Sequence, residues 1–182
     1  MADQTELCSL SDLQDKLLDN IGRIIKCYTT AIILITMGSK GQQYPLFIGT
    51  GTFVSISNTI GIITAAHVVD KLLKENSLNR PYLLGLTIND YAQKYAIHSN
   101  LIEPLIIAHG QVESDGPDLG FIVLPHSERG TIEATKIFHN LDRNRERILA
   151  KPPRFSEGIW AFCGVPDRKQ SMIMPIKDSS RY

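Results

Sequence analysis

The sequence predicts an all-β domain, an antiparallel six-stranded barrel with a helix ahead of it and a short β-bearing tail behind. Three observations predict this. Six stretches rich in Ile, Val and Thr lie between residues 28 and 124, each bounded by turn residues. No helical segments alternate with them in βαβ fashion, which points away from a parallel sheet and towards a small closed barrel. Finally, 43% of the 182 residues are hydrophobic and 21% charged. Those fractions are ordinary for one globular core, and the length is too small for two full-sized domains.

The elements follow in order. Residues 9–26 carry apolar side chains at Leu10, Leu13, Leu17, Leu18, Ile21, Ile24 and Ile25. That spacing gives an amphipathic helix, with Ser9 or Ser11 to cap it, and its apolar face is expected to pack on the chain's own domain. From Tyr28 to Met37 the texture changes to Ile and Thr, a buried strand, and Gly38-Ser-Lys-Gly41 turns the chain. Pro45–Ile56 and Thr59–Thr64 form a hairpin about Ser57-Asn58. Pro81–Asn89, Tyr95–Ala108 and Asp118–Leu124 complete the six, and Pro125 ends the last. Residues 27–126 thus make the barrel lobe, residues 1–26 a helical extension, and residues 127–182 a connecting segment and an incomplete second lobe.

Within that tail, Ser127–Leu149 is polar and helix-prone. Its basic residues Arg143, Arg145, Arg147, Lys151 and Arg154 are interspersed with Glu133, Asp142 and Glu146. The mixture reads as a solvated connector rather than an anion site. Lys151-Pro-Pro-Arg154 stops any helix, Gly158–Gly164 reads as a new strand, and Val165–Arg168 as the turn after it.

Charge and special residues narrow the function. Lys plus Arg and Asp plus Glu are 19 each, so no global field holds a polyanion and nucleic-acid binding is not expected. The longest strongly apolar run, Ala31–Met37, is far short of the roughly 20 residues that span a bilayer. The acidic N-terminus lacks the basic and apolar regions of a secretory signal. A cytoplasmic location with no membrane partner is the expectation. Cys8, Cys27 and Cys163 are too far apart for a metal knuckle or a disulfide framework. His98, His109, His126 and His139 show no ligand spacing. Neither a metal nor an organic cofactor is expected.

The most informative stretch is Gly49-Thr-Gly-Thr-Phe-Val54 followed by Gly61-Ile-Ile-Thr-Ala-Ala-His-Val-Val69. A strand runs into two alanines, which leave room for a tight turn that places His67 at a barrel mouth. A histidine there can act as general base. The second piece is Asp118-Leu-Gly-Phe-Ile-Val-Leu124. A carboxylate at the start of so apolar a strand needs a partner. The His67 ring would serve, and the carboxylate would fix its tautomer and orientation.

Together these residues resemble the trypsin-like (chymotrypsin-fold) serine peptidases, in particular their bacterial branch. Gly49–Phe53 matches the strand before the base, Thr64-Ala-Ala-His-Val-Val69 the histidine box and Asp118–Leu124 the aspartate box. The order His then Asp is the family order. Gly158-Ile-Trp-Ala-Phe-Cys-Gly-Val-Pro166 resembles the strand that opens the second barrel. The resemblance spans residues 28–170. It implies a chymotrypsin-like barrel, a serine endopeptidase activity on protein or peptide substrates, His67 as general base and Asp118 as orienting acid. It further implies that the Asp118 carboxylate accepts backbone N–H bonds from the turn around Ala66 and His67.

Acyl transfer also needs a nucleophile and an oxyanion hole. The family supplies both from a Gly-x-Ser-Gly-Gly loop, and no such loop occurs in this sequence. Ser171, Ser179 and Ser180 have no flanking glycine, and Cys163 sits inside a predicted strand. Residues 119–182 are also too few for a linker and a second barrel at roughly 5–6 residues per strand plus turns. The expectation is an endopeptidase domain truncated before its nucleophile and inactive alone. The alternative is a non-catalytic pseudopeptidase, a binding or regulatory module that engages itself or a complementing chain through exposed strand edges.

Overall fold

A computed structural model describes residues 15–88, 94–109 and 117–150. In chain order these form α1 (Asp15–Tyr28), β1 (Thr29–Met37), β2 (Gln43–Ile56), β3 (Thr59–Thr64), α2 (Ala66–Ser77), β4 (Tyr82–Thr87), β5 (Lys94–His98), β6 (Glu103–Ala108), β7 (Leu119–Leu124), α3 (Arg129–Glu133), β8 (His139–Asn140) and α4 (Leu141–Ala150). One sheet holds all the strands, in the order β5-β4-β1-β2-β3-β7-β6, with β8 paired to β2. Every pairing on that path is antiparallel, and β8 alone runs parallel to its neighbour. The protein is therefore a mostly antiparallel β structure with a few helices.

The sequence expectations map onto it unevenly. Helix α1 runs two residues past the expected end at residue 26, and residues 9–14 lie outside the described residues. The β2–β3 hairpin turns through Ser57 and Asn58 as expected, with Ile56 opposite Thr59 and Ser57 at φ 50°. The stretch 95–108 is not one strand. A 3-10 turn at Ser99–Leu101 breaks it into β5 and β6, and its polar side chains hold the break: Asn100 N–H donates to His98 Nδ1, and Tyr82 N–H to Ser99 Oγ. β5 pairs with β4 and β6 with β7. The hydrogen-bonded path therefore runs open from one half of this stretch to the other, through seven strands rather than six, and does not close into a ring.

Helix α2 was not foreseen. Its buried residues Ala66, Val68, Val69 and Leu72 lie on one face. A Schellman turn ends it: Asn79, at φ 52°, donates to Asn76 O at 3.0 Å, and Arg80 N–H to Glu75 O at 3.1 Å.

The core gathers Ile32, Phe53, Ile62, Leu72, Leu84 and Ile122, all fully buried, and it extends beyond residue 126 to Ile132 and Phe138. Phe138 stands edge-on to Phe53 at a centroid distance of 5.5 Å. The segment before it ties down the end of α1, with Ile137 N–H donating to Cys27 O at 2.8 Å and Lys136 Nζ to Lys26 O at 2.6 Å. Asn140 caps α4 by accepting Arg143 N–H at 2.8 Å, and Asp142 accepts Ser57 N–H at the hairpin turn. Arg143, Arg145 and Arg147 are exposed on α4, as a solvated connector requires. Lys151, Arg154, the expected strand at 158–164 and its turn lie outside the described residues. Among the described residues no helix is long and apolar enough to cross a membrane.

Candidate active site

Strand β3 ends at Thr64, whose hydroxyl donates to Thr50 O at 2.7 Å and pins the strand end to β2. Ala65 is extended, and α2 starts at the next residue. Two glycines let the helix sit this close to the sheet. A Cβ at Gly49 would lie 2.5 Å from Val68 Cγ2, and one at Gly120 would collide with Val69 Cγ2. The Gly-Thr-Gly and Asp-Leu-Gly pieces of the sequence are thus the seat of α2 on β2 and β7.

Ala65 occupies the N-cap position and has no side chain to satisfy the first free N–H groups of α2. Asp118, the residue before β7, supplies the missing acceptor from 51 residues away. Its Oδ1 accepts His67 N–H at 3.1 Å and its Oδ2 lies 2.6 Å from His67 Nδ1. Its carboxyl is held below the usual 3.8, first by the bond to the His67 side chain. Partial burial opposes that shift, while the backbone N–H groups of His67 and Ala66 reinforce it. The structure therefore brings together both residues singled out from the sequence, with the backbone contacts that the resemblance implied.

A carboxylate can only accept, so Nδ1 carries the proton of the neutral ring and Nε2 presents its lone pair. Among the described residues no hydrogen bond occupies Nε2. The His67 and Asp118 side chains are 63% and 42% exposed, so the pair lies at the surface among the described residues.

A second pair lies beside the first. His109 Nε2 is 2.7 Å from Asp70 Oδ2. Asp70 follows His67 by three residues on α2, and His109 follows the last residue of β6. The sequence reading does not anticipate this pairing. The signal was the i, i+3 spacing of His67 and Asp70, which has meaning only once residues 66–77 are known to be helical. The remaining histidines serve structure. His126 Nε2 meets the Asn58 carbonyl, and His139 stacks edge-on against Tyr28 at 6.0 Å.

Among the described residues no serine, threonine or cysteine hydrogen-bonds the His67 ring, and no group of three His, Cys, Asp or Glu is placed to hold a metal ion. Cys163, Ser171, Ser179 and Ser180 lie outside the described residues. No protein-family model, curated protein or solved structure matches the chain.

Proposed function

We propose that this chain carries the base-and-acid half of a trypsin-like serine endopeptidase site, with His67 as general base and Asp118 as its orienting acid. The observation that carries the reading is the two-point grip of Asp118 on His67 N–H and Nδ1. Such a grip holds the ring in the tautomer that leaves Nε2 basic and stabilises the imidazolium that forms when Nε2 takes a hydroxyl proton. Nε2 then returns the proton to the leaving amine.

In this reading β5 and β6 are two halves of one bent strand, and the sheet is a six-stranded chymotrypsin-like barrel. What supports it is that the two ends of the hydrogen-bonded path are consecutive in the chain, joined only through residues 99–102. No Gly-x-Ser-Gly-Gly loop occurs in residues 1–182, so in this reading that polypeptide does not hydrolyse peptide bonds by the triad mechanism on its own.

Two measurements test these claims. The 15N spectrum of the His67 imidazole should show the neutral ring protonated at Nδ1; protonation at Nε2 would refute the base assignment. A fluorophosphonate probe should label no serine. Specific labelling that His67→Ala abolishes would refute the inactivity of the isolated chain.

A second reading has one observation in its favour. Leu105, Ile106 and Ile107 are exposed on β6, the end strand of the sheet path. An apolar edge suits a non-catalytic pseudopeptidase that pairs with a second copy or with a complementing chain.

A further inference from the structure

Helix α2 and the antiparallel β6–β7 pair meet through two crossed His–Asp hydrogen bonds. The helix contributes His67 and Asp70, and the strand pair answers with Asp118 and His109. We propose that the Asp70–His109 pair is a positioning device, which fastens the end of β6 to α2 so that β7 delivers the Asp118 carboxylate to His67 in register. The inference rests on the reading of His67 and Asp118 as base and acid.

The placement follows from the topology. β6 and β7 are antiparallel neighbours with Ala108 opposite Leu119. His109 and Asp118, one residue further out on each strand, therefore leave the sheet side by side. On the helix, His67 and Asp70 are three residues apart, about 4.5 Å along the axis and on one face. A single contact between Asp118 and His67 would act as a pivot. A second contact nearly one turn along the helix removes the rotation about it. The grip on His67 is sensitive to such rotation, because both carboxylate oxygens must point at separate donors, and hydrogen bonds weaken steeply as they bend. Asp70 and His109 touch no reacting atom, so they are positioning residues.

Electrostatics gives the proposal a distinctive sign. Asp70→Asn removes one carboxylate charge from the helix face beside Asp118. Taken alone, that would lower the Asp118 titration midpoint further. Lost alignment weakens the hydrogen bonds that hold the midpoint down and so raises it. Upward movement in Asp70→Asn therefore reports alignment and not charge.

The experiment follows the Asp118 carboxyl by 13C NMR in the full chain, as wild type, Asp70→Asn, His109→Gln and the double variant. Circular dichroism and amide dispersion check that each stays folded, which both exposed positions favour. The expected result is a wild-type midpoint below 3.8, an upward shift of about half a unit or more in each single variant, and no further shift in the double variant. A lowered wild-type midpoint that stays put or falls in Asp70→Asn overturns the proposal and leaves the base reading standing. An ordinary midpoint in the wild type overturns the base reading and the proposal together.

Discussion

Asp118 does two things with one carboxylate: it orients the His67 ring and caps a helix whose own N-cap, Ala65, has nothing to offer. Its pKa lies below the unfolded value because both interactions favour the charged form. The linkage sign is therefore fixed. Its stabilisation is fully present above the unfolded pKa and is lost as pH falls through the folded one. Asp118→Ala should lower stability by about 1 kcal/mol at pH 6, in the range of a lost cap and held there by solvent screening. The gap between variant and wild type should close in strong acid. Urea unfolding at both pH values measures this, and equal stability at pH 6 would show that the cap contributes nothing. Tyr82 offers the opposite case. Its side chain is 1% exposed and its hydroxyl has no hydrogen-bond partner among the described residues. Burial pushes its pKa up to about 12, and the Asn76 side chain, outside hydrogen-bonding geometry, only partly opposes that. Removing an unsatisfied buried hydroxyl removes a desolvation cost. Tyr82→Phe should leave the melting temperature unchanged or raise it, and a clear fall would reveal a partner for the hydroxyl.

At the scale of elements, the position of the site depends on how closely α2 lies on the sheet. Gly120→Ala would drive a methyl into Val69 and lift the first turn of α2, which carries His67. The expected cost is about 1–3 kcal/mol, typical of overpacking, together with loss of the downfield imidazole proton signal that the 2.6 Å contact of His67 Nδ1 with Asp118 predicts. Adding Val69→Ala should restore that signal by making room; a signal unaffected in the single variant would show that the helix tolerates the methyl. The same helix marks the limit of what could be read from the chain. The strands were legible because Ile, Val and Thr between turn residues dictate them locally, and so was the His67–Asp118 pair, from the order of its two boxes. α2 was not, since Val68-Val69 reads as strand and its cap comes from Asp118, 51 residues away. Without α2, Asp70 had no face to share with His67, and the pair with His109 stayed hidden. The break at Ser99–Leu101 was lost for another reason. The apolar period continues across it, although Ser99-Asn100 repeats the Ser-Asn of the hairpin turn.

For the whole molecule, the open path of the sheet and the balance of charge act together. Lys and Arg equal Asp and Glu at 19 each, so near neutral pH no net charge keeps copies apart. β6 ends the path and exposes three consecutive apolar residues, with Ile107 at 58%. Two features blunt that edge. Pro104 cannot donate to an added strand, and the register slips between Ile106 and Ala108, leaving Ile107 as the extra residue of a bulge. The proposed self-association should therefore be weak. Sedimentation at pH 7 should show an average mass that climbs with loading, and Ile107→Lys should suppress the climb by placing a charge on the edge. Added salt should not suppress it, since apolar contact rather than ion pairing would hold the copies together. The contact also has a local reporter. His109 is the next residue after β6, so its ring signals should move with concentration while those of Tyr28, at the far end of α1, stay fixed. A constant monomer mass across the range, with His109 unmoved, would remove the edge as an interface.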